Sequence, residues 1–130
     1  MSRADYRLPR ERRIKTAGLF EEAFGRGRSF SGNLMVLRVR SGTGAPARFG
    51  VAAGRKLGNA VKRNFARRRL REALRLNRPL FGDGCDVIAV ARHKVLKAPW
   101  NEVQAELLAL AGKAGILKEQ ARKETFNSQL

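Results

Sequence analysis

Apolar positions along the 130-residue chain recur with two periods, and these predict a short series of strands and helices. In residues 34–40 the odd positions Met35, Leu37 and Val39 are apolar, while the even positions end in Arg38 and Arg40. A period of two predicts a strand with one buried face and one partly basic face. Residues 41–46 (SGTGAP) read as a turn, and residues 48–53 as a second strand folded back on the first in an antiparallel hairpin. Residues 86–92 contain the unbroken apolar run 87–91, the pattern of a strand buried on both faces. Helical spacing appears three times. Thr16 caps a first helix over residues 16–24, in which Phe20, Ala23 and Phe24 share a side and Gly25 and Gly27 follow. Asn59 caps the longest helix, which runs to about Asn77 before Pro79, Gly82 and Gly84. Pro99 opens the last, whose stripe is Trp100, Val103, Leu107, Leu110 and Ala114. The organisation expected is a flexible basic arm (1–15), a single α/β domain (16–114) and a polar C-terminal extension (115–130).

Composition narrows what such a domain can do. Lys plus Arg number 28 against 11 Asp plus Glu, giving a net charge of +17 and a pI near 11.7. So cationic a surface repels itself and calls for a polyanion, either nucleic acid or an anionic membrane. At 43% hydrophobic residues the chain has too many for a disordered tail, so the charge belongs to a folded body. No apolar run approaches the roughly 20 residues of a spanning helix. The first fifteen residues lack the apolar stretch of a secretory signal, and Asp5, Pro9 and Glu11 interrupt any amphipathic transit helix. A cytoplasmic protein with no membrane partner is expected. Cys85 is the single cysteine, which precludes an intrachain disulfide and suits a reducing compartment; its expected place is the core. Cys85 and His93 together cannot supply the about four ligands of a structural zinc site.

Residues 55–78 concentrate the charge, with ten Lys/Arg and one acid. On a helix, Arg63, Arg67, Arg71 and Arg75 form a ladder of four-residue steps, with Asn64 and Arg68 beside it. Val61, Phe65, Ala66, Leu70, Ala73 and Leu76 are expected on the opposite side, against a sheet, with the stems of Lys62 and Arg69 snorkelling from it. Stacked arginines with only Glu72 nearby repel by a few tenths of a kcal/mol per pair, a term that an anion would reverse. Arginine also suits bidentate phosphate contact and stacking on bases. The helix-turn-helix pairing that reads a DNA groove is absent, and strands alternating with helices favour RNA. Side-chain catalysis is not expected: His93 stands alone, carboxylates are scattered, and Gly50 and Gly54 before Arg55 and Lys56 lack phosphate-loop spacing.

Residues 54–72 (GRKLGNAVKRNFARRRLRE) resemble the signature of the bacterial ribonuclease P protein component: a basic pair, then Ala-Val-x-Arg-Asn, then spaced arginines ending in Arg-Glu. The resemblance spans residues 8–112, with Phe20, Phe24 and Gly27 matching the family's first helix and residues 86–92 its last strand. It implies an α+β fold, a small α/β sandwich with a mixed four-stranded sheet and about three helices. A left-handed βαβ crossover (ribosomal protein S5 domain 2-like) is implied too, against the usual right-handed rule. It implies a subunit of a ribonucleoprotein endonuclease that removes the 5′ leader of precursor tRNA, the chemistry being carried by an RNA subunit that holds Mg²⁺. The implied partners are the catalytic ribonuclease P RNA and precursor tRNA, with no obligate protein partner and no organic cofactor. Residues implied to contact the RNA are Arg55, Lys56, Lys62, Arg63, Asn64, Arg67, Arg68, Arg71 and Arg75. Phe20, Phe24, Arg38 and Arg40 are implied to hold the leader, although Phe20 and Phe24 equally fit a plain apolar core. Two positions depart from the family pattern: Arg38, where an aromatic can stand, and Phe65, where the motif often has a third basic residue. The alternative is a ribosomal protein or general RNA chaperone without a role in tRNA processing.

Overall fold

The computed structural model describes residues 27–41 and 47–118. The basic arm, the helix expected over 16–24 with Phe20 and Phe24, the turn at 42–46 and residues 119–130 lie outside the described residues. Within them run β1 (Arg28–Ser31), β2 (Met35–Ser41), β3 (Arg48–Ala52), α1 (Ala60–Asn77), β4 (Cys85–Ala91) and α2 (Trp100–Ala114). Short 3₁₀ turns at Arg55–Leu57, Arg78–Leu80 and His93–Leu96 join them. The four strands form one mixed sheet in the order β1-β2-β4-β3, antiparallel except for the parallel β3/β4 pair.

That order corrects the hairpin expected between residues 34–40 and 48–53. β4 lies between those two strands, pairing antiparallel with β2 and parallel with β3. The reason is its composition: Val87, Ile88 and Ala89 are all fully buried, which requires a neighbour on each edge and cover on each face. A parallel partner needs a crossover of a dozen or more residues, and α1 supplies it between β3 and β4. β1 escaped the period-two reading because it is a four-residue edge strand in which only Phe30 is even half-buried.

Register divides the sheet into two faces. Met35, Leu37 and Val39 of β2, Phe49 of β3 and Val87 and Ala89 of β4 lie on one face. They share a core cluster with Ala66, Leu70, Ala73 and Leu74 of α1 and Val103, Leu107, Leu110 and Ala111 of α2. Phe49 meets Phe81 edge to face at 5.4 Å within it. The packed chain continues beyond the boundary expected at residue 114. Gly115 closes α2 in the left-handed conformation, Ile116 and Leu117 are buried, and Leu117 bridges to Phe81.

Polar ties fix the layers. Glu106 on α2 accepts from the backbone N–H groups of Asn33, Leu34 and Met35 at 2.6, 2.7 and 3.0 Å, holding the β1–β2 turn to the helix. A Cβ at Gly32 would sit 2.5 Å from the Glu106 carboxyl carbon, so a larger residue there would displace the carboxylate from these amides. Asn77, buried at the end of α1, donates to the Ala73 carbonyl and to Gln104 of α2. Cys85 is buried as expected, its thiol directed at the Gly82 carbonyl, and desolvation pushes its pKa up to about 11, with Asp86 and Asp83 adding to the shift.

Candidate nucleic-acid interface

The basic stretch enters α1 through a built turn. Leu57 is buried and anchors the 3₁₀ turn, which leaves Arg55 and Lys56 exposed. Gly58 follows at φ 142°, a conformation that L side chains rarely adopt, and a Cβ there would meet the Lys62 stem at 2.7 Å. Asn59 then caps the helix, its side-chain oxygen accepting from the Lys62 N–H at 3.0 Å. The first turn of α1 contains no acid but carries Lys62 and Arg63. The positive end of the helix dipole and these side-chain cations therefore have the same sign, which favours a bound polyanion.

Around the helix axis α1 has three sectors rather than the two expected. Its buried side is Ala66, Leu70, Ala73, Leu74 and Asn77. At about 100° per residue, Arg63, Arg67 and Arg71 step away from that side toward solvent, and Asn64 and Arg68 lie next to them. Arg63 and Arg67 are half-buried, whereas Asn64, Arg68 and Arg71 are exposed. The third sector corrects the apolar side read from the sequence. Val61 and Phe65 are exposed and Leu76 is half-buried, while Leu74 takes the core position. The helix rotates to bury the short Ala66 and Ala73 against the sheet, and this turns Val61 and Phe65 outward. Lys62 is exposed, its stem lying over Gly58 instead of the core. Arg69 does lie along the body: its Nη1 donates to the Val95 carbonyl at 2.6 Å, and it stacks near Trp100 at the start of α2. Since α2 neighbours the Arg69 flank, the arginine ladder occupies the other flank of α1.

The ladder is not uniformly available. Arg75 forms a two-pronged pair with Glu72, its Nε donating at 3.0 Å. Those hydrogen bonds hold the Glu72 carboxyl below its ordinary range, with Arg75 and Arg68 charges assisting against partial desolvation, and the same bond raises Arg75. Arg67 donates to Asn64, which orients its guanidinium. The Arg63 Nε is shielded from solvent and has no acceptor among the described residues. Arg55, Lys56, Lys62, Arg68 and Arg71 make no side-chain hydrogen bond or ion pair among the described residues. Lys62, Arg63, Arg68 and Arg71 of the helix and the basic pair before it are thus left to a ligand, and one rung of the ladder, Arg75, is already engaged.

Arg38 and Arg40 occupy the sheet face opposite the helices. Arg38 pairs across the strands with Ser29 and Ile88, and its Nη1 donates to the Ser29 hydroxyl at 2.7 Å. Arg40, Asp86 and Arg48 lie in one register row. Asp86 is 2% exposed and receives a bidentate pair from Arg48 at 2.8 and 2.7 Å, with Arg40 at 3.1 Å. Arg40 is therefore partly committed to a buried carboxylate. Arg48 was not among the candidate residues, because its link to Asp86 depends on the parallel β3/β4 pairing and local spacing does not reveal it. His93 is exposed on its 3₁₀ turn. Among the described residues no three of His, Cys, Asp and Glu cluster as metal ligands. No helix among them is long and apolar enough to cross a membrane.

Fold and surface together define a class: a small α+β protein that presents an arginine-lined helix to nucleic acid. Comparison with known proteins identifies the family. A family model described as Ribonuclease P matches residues 8–115. The ribonuclease P protein component of Symbiobacterium thermophilum is 39% identical over 109 residues, covering 83% of this chain and 95% of the relative. That of Chloroflexus aggregans is 38% identical over 111 residues, covering 85% and 82%. Among solved structures, the RNase P protein of Staphylococcus aureus superposes with a TM-score of 0.71 at 25% identity, over 82% of this chain and 98% of that one. The Thermotoga maritima RNase P protein gives 0.67 at 27% identity, over 75% and 93%. The chain belongs to the ribonuclease P protein component family, and so is a protein subunit of the ribonuclease P holoenzyme, an endoribonuclease that works with an RNA subunit.

Proposed function

We propose that this subunit grips the catalytic RNA with one flank of α1 and the 5′ leader of precursor tRNA with the sheet face that carries Arg38 and Arg40. The observation that carries the reading is the set of cations left without an acid partner on and just before α1. Arg55, Lys56, Lys62, Arg63, Asn64, Arg67, Arg68 and Arg71 contact the RNA subunit, with Arg75 adding a weaker contribution because Glu72 holds it. Arg38 and Arg40 reach the leader from β2, and Phe20 and Phe24, outside the described residues, complete that contact. The chemistry and its Mg²⁺ belong to the RNA, in the cytoplasm. The protein's part is to place fixed cations where folded RNA and substrate bring phosphates together, which lowers the diffuse cation concentration needed for assembly. Cleavage of precursor tRNA by the cognate RNA subunit, titrated with Mg²⁺ with and without the protein, tests this. The protein should shift the Mg²⁺ requirement downward; an unchanged titration would overturn the reading.

A further inference from the structure

Val61 and Phe65 are the large apolar side chains that stand exposed among the described residues, at 76% and 46%. Four residues apart on α1, they are neighbours on one surface. Neither belongs to the core cluster, so packing among the described residues does not account for an aromatic ring at that position. The ring is nonetheless held. Arg69, anchored at 2.6 Å on the Val95 carbonyl, places its guanidinium 5.6 Å from the Phe65 centroid and 5.9 Å from that of Trp100. Phe65, Arg69 and Trp100 thus form a cation-centred stack, with Phe65 as its exposed member. The exposed cations Lys62 and Arg68 border the patch, and Arg68 also borders the ladder. An apolar protein surface is a poor occupant, since the cores of protein interfaces are depleted of charge. An unpaired nucleobase fits both features, offering a π-face to the ring and phosphates to the neighbouring cations.

We propose that Phe65 is a stacking platform for an unpaired nucleobase of the RNA subunit, with Arg69 fixing the ring and Val61 flanking it. The proposal rests on the reading of α1 as the RNA-subunit helix. It assigns base stacking to a motif position where a basic residue would instead contact phosphate. The test uses the full chain and the cognate RNA subunit alone, with no precursor tRNA, and measures Kd across a salt series. Phe65→Ala should weaken binding about tenfold at every salt concentration with its salt slope unchanged, because stacking releases no counterions. Phe65→Trp should retain wild-type affinity, and Phe65→Arg should weaken binding at high salt, where a phosphate contact fades. Wild-type affinity of Phe65→Ala, or full rescue by Phe65→Arg at high salt, would overturn the proposal. So would a Phe65→Ala variant that loses self-association in sedimentation while binding RNA normally. The double variant R67A/R71A separates the two levels: if it is impaired while Phe65→Ala is not, stacking fails and the RNA-binding helix stands. If neither variant is impaired, both fail.

Discussion

Replacing Arg67 and Arg71 together by alanine probes the ladder where the structure leaves it most available. Arg71 is exposed and unengaged among the described residues, and Arg67 is held only by Asn64. Each phosphate contact contributes roughly 0.7–0.9 to the slope of log K against log salt, so the double variant should flatten that slope by about 1.4–1.8. Between about 50 and 200 mM salt, wild-type affinity should then fall roughly tenfold more than that of the variant. Arg75 supplies the internal contrast. Its guanidinium is engaged by Glu72, so Arg75→Ala should move the slope by less than about 0.5, whereas Glu72→Gln should free Arg75 and steepen it. Unfolding does not confound the comparison: removing stacked like charges relieves a few tenths of a kcal/mol per pair and leaves the apolar side of α1 intact. Filter binding to the cognate RNA subunit over a salt series provides the measurement. Parallel lines for wild type and R67A/R71A would refute the argument, leaving the ladder a solvated face.

Three further outcomes follow from the fold. Asp86→Ala removes a 2%-exposed carboxylate from Arg48 and Arg40 and should cost about 3 kcal/mol in urea unfolding; a loss under about 1 kcal/mol would show that the row is not a structural clamp. Glu106→Gln replaces a charged acceptor of three backbone N–H groups and should cost about 1.5–3 kcal/mol, with faster hydrogen exchange at the Leu34 and Met35 amides. Unchanged exchange there would contradict the tie. The Cys85 thiol has a folded pKa of about 11, above its ordinary value of 9.0, so the folded state binds its proton more tightly. Its contribution is fully present below pH 9 and is lost as pH rises toward 11. After allowance for solvent screening this amounts to about 1–2 kcal/mol, and Cys85→Ala should remove that alkaline loss from the stability profile.

Local rules made much of this molecule legible. Asn59 as a cap, Pro99 ahead of α2 and the stripe Val103, Leu107, Leu110 and Ala114 follow from side-chain chemistry within one turn, and the structure places them as expected. The strand pairing was less legible, because residues 41–46 satisfy turn chemistry whether or not the flanking strands pair. What decides it is that β4 must be covered on every side. The face that α1 buries departs from its apolar pattern for a related reason. Val61 and Phe65 count as apolar in any pattern, yet the sheet accepts Ala66, Leu70, Ala73 and Leu74, and rotating the helix onto these turns Phe65 to solvent. Ionic partners were least legible of all. That Glu72 engages Arg75 follows from their three-residue spacing, but Asp86 with Arg48 and Glu106 with the β1–β2 turn join residues far apart in the chain.

The central claim, that the ladder flank of α1 faces the RNA subunit, can be read from where cleavage falls. Ala60 is exposed in the ladder's sector, and Ala105 is exposed on α2. Cys85, the single native cysteine, is buried and its thiol is held protonated, so an iron chelate attached through Ala60→Cys or Ala105→Cys reports from one position while every cation is kept. Hydroxyl radicals generated at position 60 in the reconstituted holoenzyme should cut the RNA subunit at a confined set of nucleotides, with weak or no cutting from position 105. Equal cutting from both positions, or none from position 60, would contradict the account.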